Sequence, residues 1–288
     1  MTAQDYSDIL YEIHDSAAII TLNRPKRLNA ITALMGKELR HALARAENDK
    51  QVVGIVITGA GDAFCAGVDM ADLHQAGQSG WPEKRLGDTE ESSERLKAEP
   101  GRLELPEGFH KGTYSYFATI NKPVIGAING AVAGAGLALA LFCDIRFFAE
   151  SGYVSSSFSR RGLIAELGIS WVLPKLVGTD WALDILWSSR KVFGKEAKEI
   201  GLGTRVYKDD ELIPNSLAYI SDIAENCSPA SIAGIKGQVY RDLFRPPTEA
   251  FKEANKLMKE SIAGPDFKEG VQSFLDRRKP NFARLGKN

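Results

Sequence analysis

Apolar positions in this chain fall into two kinds of block. Short consecutive runs, Ala18 to Leu22, Ile55 to Ile57 and Val124 to Ile128, are bounded by turn residues and predict buried strands. Thr32 to Glu47 instead spaces Leu34, Leu39 and Leu43 roughly on one face, which predicts a helix. A further strand is read at Thr204 to Tyr207, followed by helical patterns at Leu212 to Asn226 and Thr248 to Ile262. Strands and helices alternate up to about residue 205 and helices follow, so the expectation is an α/β core over 1–205 and a helical region over 206–288. From His74 to Lys111 the pattern breaks. That stretch is rich in charge, Gly and Pro, and reads as a mobile helix-and-loop insertion, first as solvated surface and second as a lid.

Two glycine-rich segments stand out against this background, Gly54 to Met70 and Pro123 to Asp144, each closing an apolar strand and opening a helix. In the first, Ala66 and Gly67 precede a helical stretch bearing Asp69; in the second, Gly134-Ala135-Gly136 precedes the apolar run Leu137 to Phe142. Such small side chains let a ligand approach the main chain, and glycine tolerates the backbone angles of the turn. Each segment can present a free amide at a helix start, and two such amides can hold one negatively charged oxygen. The chemistry predicted is an oxyanion hole.

Composition narrows the setting. A chain of 288 residues, 44% of them hydrophobic, can bury a large core, and a net charge of -1 gives no electrostatic footprint for nucleic acid or an anionic membrane. The three cysteines, Cys65, Cys143 and Cys227, lack metal-ligand spacing and suit a reducing compartment. Met1 to Asp15 lacks the basic-then-apolar order of a signal peptide, and no charge-free apolar run reaches roughly 18 residues. A soluble cytoplasmic protein is the expectation.

Competing motifs fail on spacing. Gly134-Ala135-Gly136 opens like a dinucleotide fingerprint, but Leu139 stands at the third glycine position. No lysine follows Gly59-Ala60-Gly61 at P-loop spacing, and Gly168 to Val172 lacks the second glycine of a nucleophile elbow. Cys65 has no histidine to activate it in sequence, and Asp69 reads as a helix cap.

An ordered set of segments carries a family resemblance: Ile19 to Pro25 with Leu28-Asn29-Ala30, both glycine-rich segments, Trp171 to Gly178, and Phe274 to Phe282. On these the chain resembles the crotonase, or enoyl-CoA hydratase/isomerase, superfamily. The resemblance implies a spiral of repeated strand-strand-helix units with a helical C-terminal region that packs as a homotrimer or homohexamer. It maps the oxyanion amides to Ala66 and Ala135. It assigns Ala66, Gly67, Val68 and Asp69 to the coenzyme A part of the ligand, and Lys26, Arg27 and Arg277 to its phosphates. No cofactor is implied, because coenzyme A arrives as part of the acyl-CoA substrate.

The same resemblance locates a departure. The two glutamates with which hydratases of the family hold a water fall on Ala138 and Phe158, so the usual two-acid route is missing. Glu166 falls where several isomerase relatives carry an acid, with Leu163, Ile164 and Leu167 expected to desolvate it. A single carboxylate suffices to take a proton from one carbon and return it at another. Two functions follow: an acyl-CoA enzyme using Glu166, of isomerase type or an atypical enoyl-CoA hydratase, or a catalytically silent acyl-CoA binding or scaffold protein.

Overall fold

Strands of this protein alternate between two sheets as the chain advances. The computed structural model describes residues 6–80 and 89–287, so 81–88, within the expected insertion, lie outside the described residues. The strands are β1 (Ile9–His14), β2 (Ala17–Leu22), β3 (Gly54–Gly59), β4 (Ala63–Cys65), β5 (Val124–Ile128), β6 (Ala131–Ala133), β7 (Ile145–Ala149), β8 (Tyr153–Ser155), β9 (Val192–Phe193) and β10 (Arg205–Tyr207). Among the described residues one sheet has the order β1-β2-β3-β5-β7-β10 and a smaller one the order β4-β6-β8-β9. Each of β3/β4, β5/β6 and β7/β8 gives one strand to each sheet before a helix follows, and the chain thereby winds as a spiral. Pairing from β2 through β3, β5 and β7 to β10 is parallel.

Consecutive strand residues face opposite sides, and the larger sheet is buried on both. Ile20, Ile55, Ile57 and Phe148 face the main core, whereas Ile19, Val56, Ile125 and Phe147 face a second cluster with Leu212 and Ile220. That second cluster is closed by the helix Leu212–Asn226. The first helix beyond residue 205 is therefore a cover of the sheet, with Ile220 seated over Gly54, where any Cβ would lie 2.1 Å from Ile220 Cδ1.

The helix Ala33–Asn48 is capped by Thr32, whose hydroxyl accepts the Met35 amide at 3.0 Å. Its buried stripe runs through Met35, Leu39, Leu43 and Ala46. Leu34, expected on that face, is only half-buried, because the stripe is set by Met35 one position on.

The described part of 74–111 is docked onto the core. It contains helices at Met70–Ser79, Glu90–Arg95 and Glu107–Lys111. Lys37 Nζ donates to Ser93 Oγ at 2.6 Å, the Gly101 amide donates to Glu47 at 2.7 Å, and the Phe109 ring is buried.

A buried polar clamp joins the helix Pro229–Asp242 to the sheet. Lys236 Nζ donates to Asp144 Oδ2 at 2.6 Å and to the Phe117 and Lys122 carbonyls, and Tyr240 donates to Asp144 Oδ1 at 2.9 Å. Removing one partner of such a pair costs about 3–5 kcal/mol, because the other is left buried and unpaired. The last two helices, Pro247–Ala263 and Pro265–Leu275, bury almost nothing, and Phe251 and Phe274 are 70% and 83% exposed.

Candidate functional site

The two glycine-rich turns meet. A Cβ on Gly67 would lie 2.9 Å from the Ala133 carbonyl and 3.2 Å from the Ala135 nitrogen, and one on Gly136 would lie 2.2 Å from the Cys65 carbonyl. Gly67 adopts φ +99°, a region open to glycine and strained for other residues. Bare backbone is what permits this approach.

Hydrogen bonding decides which amides remain available. The Ala66 amide donates to the Leu28 carbonyl at 3.0 Å, so it is engaged within the main chain. That corrects the expectation placed on Ala66. Asp69 donates to the Ile31 carbonyl at 3.2 Å, Ile31 donates to the Gly67 carbonyl at 2.7 Å, and Val68 pairs with Ile31 in a parallel bridge. Successive amides of an extended chain point to opposite sides, and the Val68 amide accordingly faces away from Ile31. No acceptor among the described residues takes the amide of Val68 or of Ala135. Ala135 is the first residue of the helix Ala135–Phe142, whose N-terminal partial positive charge adds to that of its amide. The sequence resemblance gives Val68 only as a ligand contact, and the strand alternation running back from Asp69 is the signal that singles out its amide.

Both turns line one cavity of about 50 Å³. Ala66, Gly67, Val68 and Ala135 form one wall; Phe158, Leu163 and Glu166 belong to the other. Glu166 lines the same cavity as these amides. It sits half-buried in the link between the turn Ser159–Arg161 and the helix Ile169–Val177. Leu167 follows at φ +55° and Gly168 at φ +79°. A leucine held in the left-handed region costs about 1–3 kcal/mol, which the surrounding packing must offset. The expected apolar screen is incomplete, however: Leu163 lines the cavity, but Ile164 is 84% exposed and turned to solvent. Ala138 and Phe158, onto which the resemblance maps the two acids, are both buried and apolar.

Asp69 caps the helix Met70–Ser79, accepting the Ala71 amide at 3.1 Å and Arg24 Nη1 at 3.0 Å. Burial alone would raise its carboxyl; the Ala71 amide and the Arg24 guanidinium outweigh that and hold it below the ordinary aspartate range. Cys65 is buried, and desolvation pushes its thiol up to about 12, which leaves it an inert packing group. Lys26 and Arg27 lie exposed on the turn Pro25–Arg27, beside Leu28, whose carbonyl holds the Ala66 amide. Arg277 is exposed after the helix Pro265–Leu275, and the cavity has no lining residue from that helix. His110 is also exposed.

Comparison with known proteins agrees with the spiral and its cleft. The pattern of the enoyl-CoA hydratase/isomerase family matches residues 12–285. The chain belongs to that family. It is an enzyme of the same family as a probable enoyl-CoA hydratase from Rhodobacter capsulatus, 34% identical over 96% of this chain and 98% of that one. A peroxisomal Δ(3,5)-Δ(2,4)-dienoyl-CoA isomerase from Arabidopsis thaliana is 28% identical over 99% of this chain and its own full length. The crystal structure of an enoyl-CoA hydratase subunit from Geobacillus kaustophilus superposes with a TM-score of 0.79 at 27% identity, covering 97% of this chain and 99% of that one. The crotonase fold expected for this chain is the fold it has.

Proposed function

We propose that this enzyme binds an acyl-CoA thioester with its carbonyl oxygen between the amides of Val68 and Ala135, and that Glu166 moves a proton along the acyl chain. The observation that carries this reading is the placement of two unengaged amides and one carboxylate on a single cavity. The Glu166 carboxylate removes a proton from a carbon conjugated with the thioester. The electron pair passes into the C–C bond and onto the carbonyl oxygen, and the amides stabilise that enolate. The protonated Glu166 then returns the proton to a different carbon, so the double bond shifts and nothing is gained or lost. Only one acid is required, in keeping with Ala138 and Phe158. Water addition would need Glu166 to orient the nucleophile and protonate the chain alone, which ranks it below isomerisation.

Gly67 to Asp69, with Lys26 and Arg27 nearby, are proposed to take the coenzyme A portion. Arg277 would serve a neighbouring copy in a homotrimer or homohexamer, which the exposed Phe251 and Phe274 of the last two helices favour. The reaction calls for no cofactor beyond coenzyme A itself. No helix among the described residues is long and apolar enough to cross a membrane, and all three cysteines are free, in keeping with a cytoplasmic setting.

The test is solvent deuterium exchange into a bound enolisable acyl-CoA. Exchange in the wild type that is lost in Glu166→Gln supports the mechanism. Tight acyl-CoA binding without exchange would favour the second reading, a silent binder, which the buried apolar Ala138 and Phe158 otherwise suit.

A further inference from the structure

A larger cavity, of about 450 Å³, is lined by Leu167 and Gly168, the residues that follow Glu166 in the chain. The two cavities share a turn and a helix. Glu166 lines the smaller, while Leu167 and Gly168 line the larger; Ala135 lines the smaller, and Phe142, at the other end of the same helix, the larger. Eight helical residues rising 1.5 Å each separate those ends by about 10 Å. The far cavity is walled by rings. Phe109 meets Trp171 and Phe244 edge-on, with centroids 5.9 and 5.4 Å apart, and Trp171 stacks on Phe244 at 5.4 Å. The Ser115 hydroxyl, which also lines this cavity, already donates to the Phe109 carbonyl at 2.9 Å, and the Lys175 ammonium stands 5.0 Å from the Trp171 ring centroid. Walls of this kind hold water poorly and favour methylene groups.

We propose that this ring-walled cavity receives the far end of the acyl group, so that the enzyme selects medium- and long-chain acyl-CoAs over short ones. The inference rests on the proposed thioester site and adds the class of substrate. An extended chain advances about 3.6 Å for every three backbone bonds, so about 10 Å corresponds to roughly eight bonds beyond the thioester carbon. Chains shorter than octanoyl leave the cavity empty. Phe109, Trp171 and Phe244 are then the residues that read chain length, although none belongs to the proton-transfer machinery.

Gly108 supplies the test, because it lines this cavity and nothing stands within 4 Å of where its Cβ would be. The Cβ of Gly108→Leu meets no atom, so the larger side chain is added at the cavity wall without strain at its first carbon. Dissociation constants for saturated acyl-CoAs from butyryl to tetradecanoyl are measured on the full-length wild type and on this variant. In the wild type, affinity rises little up to octanoyl-CoA, then about fourfold per methylene until the cavity is full. Gly108→Leu keeps butyryl-CoA binding and weakens dodecanoyl-CoA binding by about tenfold or more. Should the leucine variant fail to fold, Phe244→Ala enlarges the same space and shifts the affinity plateau to longer chains. Identical chain-length profiles in wild type and variant, or a flat profile in the wild type, overturn the assignment. An intact wild-type profile without deuterium exchange instead overturns the proton-transfer reading and leaves the pocket in place, so the two failures are distinguishable.

Discussion

The two walls of the cleft are made of different material. One is main chain, the turn Ala66 to Asp69 against the helix start at Gly134 to Gly136, where the Ala66 amide is bonded and those of Val68 and Ala135 are left unbonded. The other is side chain, where the carboxylate of Glu166 stands with the apolar Phe158 and Leu163. A main-chain wall is fixed once the strands pair, whatever residues carry the amides. A side-chain wall can be rewritten one residue at a time. In the proposed function the first wall holds the thioester oxygen and the second sets which proton moves; a probable hydratase and a dienoyl-CoA isomerase both stand among this chain's relatives.

The sharpest way to separate the walls is Glu166→Gln, which should lower turnover by about 10²–10⁴-fold while acyl-CoA affinity stays within a few-fold of wild type. Unchanged turnover on every active substrate would remove Glu166 from the mechanism. Ala135→Pro attacks the opposite wall. Proline is tolerated at the first position of a helix, so the protein should fold, yet the missing N–H should cost about 10²–10³-fold in turnover. A folded Ala135→Pro enzyme of normal activity would break the comparison at its main-chain end.

Gly67→Ala probes the packing beneath that wall. The added methyl would stand 2.9 Å from the Ala133 carbonyl at φ +99°, and a loss of about 1–3 kcal/mol is expected in urea unfolding. Equal stability would mean the two turns are less tightly apposed than described. The smallest effect belongs to neither wall. Lys122 is buried and donates to the Ala46 and Asp49 carbonyls, and burial pushes its ammonium down from the ordinary 10.5 to about 8. Between those values the unfolded chain binds more protons than the folded one, so stability rises with pH across that window. Lys122→Met should abolish the rise in thermal unfolding without altering the pH dependence of turnover, which the cleft alone should set.

Much of the fold was readable from residue patterns because it follows local rules. Val124–Ile128 and Leu212–Asn226 appear where apolar runs and helical spacing put them, and Asp69 caps its helix as its position before Met70 suggests. Strands as short as β6 or β9 escape such reading, since two or three residues carry no periodicity. At the candidate site, the pairing of the two turns was legible, and Glu166, singled out by the resemblance, lines the cavity they form. Which amide was free was not, because the engagement of Ala66 depends on Leu28, far away in sequence and set beside it only by the fold. The length-reading rings were hidden for the same reason, each coming from a separate segment.

The ring cluster of Phe109, Trp171 and Phe244 also orders events in time. A polypeptide emerging from the ribosome N-terminus first builds both turns and Glu166 well before residue 244 has been added, and domains tend to fold as their residues appear. Until residue 244 has been added, the larger cavity lacks one of the three rings that wall it. Contacts between segments so far apart in sequence form slowly, so this ring is the last part of that wall to be set in place.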